Sequence, residues 1–419
     1  MVKIKNSFLI LIFILTTTFN SYGNINIPEV VFPLEITNKI IEEKPTVEPK
    51  KTLPLQHFEE KINIVDYIKL QKPIDIDLPI LTIEKPKAYL GIPPSNALLA
   101  EAIDYFNNKD FIFAEQSLEK FIEKYKDNQN LYYAYYLLGI VKYNLRKYNS
   151  AEAHLSKSCE LLKRKQSCLS AAIVNIQLGN YKKAKEILFQ LEGDIDVIFY
   201  KTVLKLLINE KADFKNINCE ELDIGSVDYC RYVQKFYSFN TSNFLKALKF
   251  SYNGKNNQLA QQCKLIDGYS YYYTGNHSDA LKVFDGLTKE TINENIYNLA
   301  LYGKALIDKN NIKKYANILE SRDETLAHSL YINLAVDRFE KENYLEAFIY
   351  FQNAIKLTNK NKTFLKLAMA VSLYNLKNYE YALKLFSDLT TETKDPKISL
   401  YAGVTAYAMK DFTSSEKFL

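Results

Sequence analysis

Glycine is scarce, at 12 residues in 419, and ten of the eleven prolines are crowded between Pro28 and Pro94. A chain poor in both over most of its length lacks the residues that turn-rich sheets require, while its Leu, Ile, Lys, Glu, Asn and Tyr suit packed helices. Basic clusters are also missing. The 54 Lys and Arg are nearly matched by 49 Asp and Glu, giving +5 overall, and no long Lys/Arg block concentrates charge as a nucleic-acid partner would require. Only four histidines occur, His57, His154, His277 and His328, none spaced with Cys, Asp or Glu as a metal site. Walker loops, dinucleotide-binding glycine patterns and nucleophile elbows are absent. The sequence therefore predicts no catalytic residue, no cofactor, no metal and no small-molecule substrate. Beyond the first twenty residues, no apolar run approaches the roughly 20 residues of a membrane span, so any membrane contact is expected to be indirect.

What is present begins with an address. Lys3 and Lys5 precede the unbroken apolar run Phe8 to Leu15, and Ser21 and Gly23 supply the small residues a signal peptidase accepts. Residues 1–23 are expected to be a signal peptide cut before Asn24, an uncleaved anchor being the competing reading. An exported protein in a bacterial periplasm is the resulting expectation. Residues 24–94 read as a proline-rich tether, because each proline removes a donor and restricts its predecessor. Inside it, Lys72 to Ile83 partly alternates apolar and polar residues. That pattern fits either a strand for a partner's sheet edge or a linker whose isoleucines lie against the first helices downstream.

A chain of this length exceeds one ordinary core and is built as several domains or as an array. From about Asn96 a pattern recurs. An aromatic is followed eight residues later by a small residue in Phe106/Ala114, Tyr143/Ala151, Tyr272/Ala280, Phe339/Ala347, Tyr374/Ala382 and Tyr407/Ser415, and Ala184 ends a similar segment. Successive small residues stand 37, 33, 96, 67, 35 and 33 apart. The two wide gaps are close to three and two periods, with Ala247 and Ala316 at or near missing places, so roughly ten two-helix units are implied. The span 194–260 keeps helical composition but loses the motif. It reads as degenerate repeats between regular ones at 95–193 and 261–419, and the last half-unit, Phe412 to Leu419, is expected to continue.

Leu138, Gly139, Tyr148 and Ala151, and again Gly268, Tyr271, Gly275, Ala280 and Phe284, resemble the tetratricopeptide repeat. The opening units, with Phe121 to Lys126 leading into Ala134 to Gly139, are similar to tetratricopeptide proteins of outer-membrane assembly and the Tol-Pal region. The resemblance implies an all-α solenoid that binds protein partners of the cell envelope. It also implies that the first helix of each unit lines a concave groove, placing Tyr136, Ile140, Tyr143, Leu169, Ile173, Tyr269, Tyr272 and Tyr273 on or near it. Tyr136 and Tyr269 are expected to be replaceable by alanine without loss of fold. For Phe106, Tyr143 and Tyr272, packing between neighbouring units competes with a groove role. A periplasmic adaptor is the leading functional expectation, set in outer-membrane or cell-wall assembly or in a scaffold around the flagellar motor; the alternative is the repeat part of an envelope enzyme, such as a lytic transglycosylase, with its catalytic domain after Leu419.

Cys159 and Cys168 flank a short stretch joining two predicted helices, and Cys219 and Cys230 flank another. In an oxidising compartment both pairs are placed for disulfides; otherwise all five cysteines are small core residues. For Cys159 and Cys168 the expectation is a bridge, since a short antiparallel turn brings such residues within reach.

Overall fold

The computed structural model describes residues 52–79, 81, 94–214, 216–254 and 256–419. The signal-peptide assignment and the first part of the tether lie outside these residues. Apart from a single turn, α1 (Ile64–Tyr67), the helices begin at Pro94 and succeed one another in pairs: α2 (Pro94–Asn107) with α3 (Phe111–Lys124), α4 (Leu131–Asn144) with α5 (Tyr148–Leu161), and α6 (Lys165–Leu178) with α7 (Tyr181–Phe189). Two irregular units come next. α8 (Ile195–Leu207) has no second helix, and α9 (Ile224–Asn240) is succeeded only by the turn α10 (Phe244–Ala247). Regular pairing resumes with α11 (Asn257–Tyr273) and α12 (His277–Glu290), α13 (Glu294–Ile307) and α14 (Ile312–Glu320), α15 (Glu324–Glu340) and α16 (Tyr344–Leu357). α17 (Lys362–Asn375) with α18 (Tyr379–Glu392), and α19 (Pro396–Ala408) with α20 (Phe412–Phe418), complete ten units. Among the described residues there is no strand. The fold is an all-α solenoid of tetratricopeptide-like helix-turn-helix repeats.

The repeated sequence positions explain the repeated geometry. Ala114, Ala151, Ala184, Ala247, Ala280, Ala316, Ala347 and Ala382 are completely buried, because the second helix crosses the first where only a small side chain fits. Gly139 and Gly268 serve the same crossing from the other side: a Cβ there would lie 2.6 Å from Leu155 and from Phe284, respectively. Where an aromatic stands eight residues before the small position, it packs across its own turn. Tyr143 meets Tyr148 edge-on at 5.4 Å, and Phe339/Tyr344, Tyr374/Tyr379 and Tyr407/Phe412 repeat the contact at 5.1, 5.2 and 5.6 Å.

The turns themselves are left-handed caps. Positive φ falls two residues after the first helix at Lys109, Arg146, Asn209, Ser242, Gly275, Glu342, Lys377 and Lys410, and directly after it at Gly179. At each, the next N–H bonds back to a carbonyl five residues earlier, as in Asp110 to Tyr105 and Asn343 to Arg338. Asn209 keeps this cap although no second helix comes after α8, so the fourth unit carries the turn of a repeat without its second half. In the fifth, the buried Lys235 ammonium replaces missing helix contacts by donating to Ala247 O and Phe250 O and pairing with Asp267. Cys219–Cys230 ties the 3-10 turn Cys219–Glu221 to α9, while Cys159–Cys168 closes the α5–α6 turn with Cα atoms 4.8 Å apart. Cys263 is a buried free thiol.

Candidate functional site: a groove filled by the chain itself

Residues 52–81, the latter part of the tether, do not act as a free spacer. They run along the face formed by the first helices, in the direction opposite to the repeats. Leu53 lies at α17, Pro54 at α19, Glu60 at α15, Gln71 at α9 and Leu81 at α4. Of the two readings of Lys72 to Ile83, the strand is not formed by its described residues, while the linker lying against the opening helices holds for Ile76, at Tyr143, and Leu81, at Tyr136. Residues 53–71 then carry the contacts on toward the other end of the solenoid. Ile64, Ile68, Ile76, Leu78 and Leu81 are buried along the way.

Proline explains the conformation, and backbone satisfaction explains the contacts. Pro54, Pro73 and Pro79 keep the segment out of a long helix, leaving main-chain donors and acceptors that need partners when covered. Helix side chains provide them. Asn375 accepts from Leu53 N at 2.8 Å and donates to Leu53 O at 3.0 Å; Asn333 does the same for Glu60 at 2.9 and 3.1 Å. Tyr401 donates to Pro54 O at 3.0 Å and Ser329 to Glu60 O at 2.9 Å. Further along, Gln262 donates to Lys69 O, Tyr229 to Gln71 O and Asn256 to Ile74 O, while Tyr232 accepts from Gln71 N. Tyr136 closes the row by donating to Pro79 O and accepting from Leu81 N.

A few side chains of the segment are also recognised. The Glu60 carboxylate is 7% exposed and meets the Lys360 ammonium and Asn361 Nδ2. Phe58 lies over Phe364 with ring centres 4.3 Å apart. Asp75 accepts from Tyr148 at 3.1 Å, with Arg146 at 3.6 Å. His57 Nδ1 sits 2.5 Å from Glu340 on the exposed edge.

The residues expected on the groove divide into two groups. Tyr136, Tyr143, Tyr272 and Tyr273 adjoin the segment, at Pro79/Leu81, Ile76, Glu59/Lys61 and Ile64 respectively. Burial pushes the Tyr136 hydroxyl up to about 12. Tyr269, by contrast, is fully buried between helices, with its hydroxyl on Leu299 O at 2.6 Å and its ring edge-on to Phe284. It is a core residue, and alanine there opens a cavity rather than probing a surface. Leu169 and Ile173 are likewise completely enclosed, and Ile140 is 8% exposed. Apart from Tyr136, the residues that grip main chain lie outside the expected set. Their signal is a polar side chain set among buried neighbours, as in Tyr331-Ile332-Asn333-Leu334-Ala335.

Among the described residues, no group of three or more His, Cys, Asp or Glu is placed to hold a metal ion. No helix among them is long and apolar enough to cross a membrane. What the site offers is a long face of a helical-repeat solenoid that holds an extended segment of its own chain. A family model described as "Uncharacterised Treponema protein" matches residues 311–417. No curated protein matches. Among solved structures, the chain is similar to that of the APC/C hetero-tetramer Cut9-Hcn1, with 12% identity over 80% of this chain and 87% of that one and a TM-score of 0.30. Yeast Tom70 shows 17% identity over 77% and 74%, with a TM-score of 0.27. A tetratricopeptide repeat protein from Parabacteroides merdae shows 16% over 67% and 98%, also at 0.27.

Proposed function

We propose that the protein is an exported adaptor of a bacterial envelope, delivered to the periplasm by a signal peptide cut after Gly23, and that its inner face binds a segment of another envelope protein. The observation that carries this reading is the extended segment already seated there, held by side chains that pair with its main chain. A face that satisfies backbone N–H and C=O groups accepts extended peptide as a class. Two disulfides, Cys159–Cys168 and Cys219–Cys230, favour an oxidising compartment. Outer-membrane or cell-wall assembly and a scaffold around the flagellar motor are the two settings that suit such an adaptor.

The test is proximity labelling with the full-length protein in its native cell, combined with the intact mass of the exported form. The reading expects a mass beginning at Asn24 and labelled proteins that are themselves exported. Retention in the cytoplasm, or labelling confined to cytoplasmic proteins, would sink it.

A further inference from the structure

The two halves of the seated segment are held differently. Among the described residues from Ile64 to Leu81 five aliphatic side chains are buried, whereas from Leu53 to Ile62 Leu53 is the only buried apolar residue, with Phe58 half-buried over Phe364. The arm 53–60 is instead fixed by polar groups aimed at its main chain: the two asparagine clamps, Tyr401 on Pro54 O and Ser329 on Glu60 O. Main-chain contacts of this kind do not distinguish one extended sequence from another. The clamping groups are polar and regain water when the arm leaves, so the uncovered face does not strand buried polar atoms. One side chain of the arm is selected by charge. The Glu60 carboxylate is enclosed against Lys360 and Asn361, a socket that discriminates against a neutral or basic residue.

We propose that the inner face over α15, α17 and α19 is an exchangeable peptide site, occupied in cis by residues 53–60, and that its partner is an extended protein segment with a carboxylate side chain in the position of Glu60. The inference rests on the scaffold reading and narrows it to one stretch of the solenoid and one chemistry of ligand. The partner competes with the arm while residues 64–81 stay seated.

The test uses the full chain and a fluorescent synthetic peptide of residues 52–63 with blocked ends. In wild-type protein the arm competes at its own high effective concentration. Glu60→Arg in the chain sets the arm against Lys360 and empties the site. That variant is expected to bind the peptide at least tenfold more tightly than wild type, as read by fluorescence anisotropy. A peptide carrying E60Q should lose at least fivefold. Adding Lys360→Glu to the Glu60→Arg chain restores a cis pair with reversed charges and should abolish capture of the wild-type peptide. Glu60→Ala serves as a second arm-releasing variant if the arginine disturbs folding, with helical content monitored by circular dichroism. Folded Glu60→Arg and Glu60→Ala chains that bind the peptide no better than wild type would overturn the proposal, as would equal affinity for the E60Q peptide. If the peptide binds as expected but native labelling finds no exported protein, the site stands and the adaptor reading falls.

Discussion

Replacing both Asn333 and Asn375 by alanine isolates the contribution of the backbone clamps. Each asparagine makes two hydrogen bonds to one residue of the arm, and a typical bond contributes about 1 kcal/mol net. Losing one clamp should therefore cost about 2 kcal/mol of arm seating, or about a thirtyfold rise in the fraction released. The two clamps lie on different helices and grip residues seven positions apart. Their effects should add, giving a rise of about a thousandfold in the double variant. Both side chains are half-buried rather than packed in the core, so the melting temperature should move little. Hydrogen exchange read by mass spectrometry distinguishes the outcomes. Exchange across 53–60 should accelerate strongly while 64–81 and the paired helices keep their protection. An increase under threefold across 53–60, or an equal loss of protection throughout, would refute the claim that these clamps hold a locally seated arm.

Tyr269→Ala should cost about 3–5 kcal/mol in urea unfolding, because it empties a fully enclosed aromatic site, whereas Tyr273→Ala, whose side chain is partly exposed, should cost much less. Glycine at the exposed left-handed caps Lys109, Glu342 and Lys410 should raise stability by about 0.5–1 kcal/mol per site, and thermal melts of single and triple variants would show whether the gains add. Burial alone would raise the Glu115 carboxyl, but hydrogen bonds from Lys142 and Lys147 outweigh it and hold the group below its usual 4.5. Its contribution is therefore present above that value and fades as pH falls through the lower folded one. Wild type and Glu115→Gln should differ in urea midpoint at pH 6 and converge toward pH 3. A gap that does not narrow as pH falls below 4.5 would assign the effect to packing.

The repeats were legible because most units repeat one physical requirement: a small residue at the crossing and, in the clearest of them, an aromatic eight positions before it. Those marks located Ala247 in a unit whose second helix is a single turn. The face used by the seated segment was only half legible. In a helix buried on most sides, periodicity does not separate a residue facing the inner surface from one facing the next helix. Tyr136 and Tyr269 therefore read alike, yet Tyr136 hydrogen-bonds to the segment and Tyr269 to Leu299 O of another helix. The seating of residues 52–81 was hidden for another reason. Its principal bonds join side chains to main chain, and a main-chain atom leaves no mark in a sequence. Proline gave the extended form, but nothing in composition gave the asparagine partners hundreds of residues away.

A stack of helix pairs ordinarily communicates only from neighbour to neighbour, so its ends can fray alone. Here a single thread crosses the stack, tying Pro54 to Tyr401 and Leu81 to Tyr136. It adds contacts between pairs that are not neighbours to an otherwise one-dimensional array, and those contacts reach the last pair only while residues 53–60 are seated. It also sets an order of assembly. The thread leaves the ribosome before the helices that hold it, and those that hold its leading end are made last, so Leu53 waits longest for its cover. The leading end of the thread is thus the last part of it to find its place, after the pairs that hold the rest have been made.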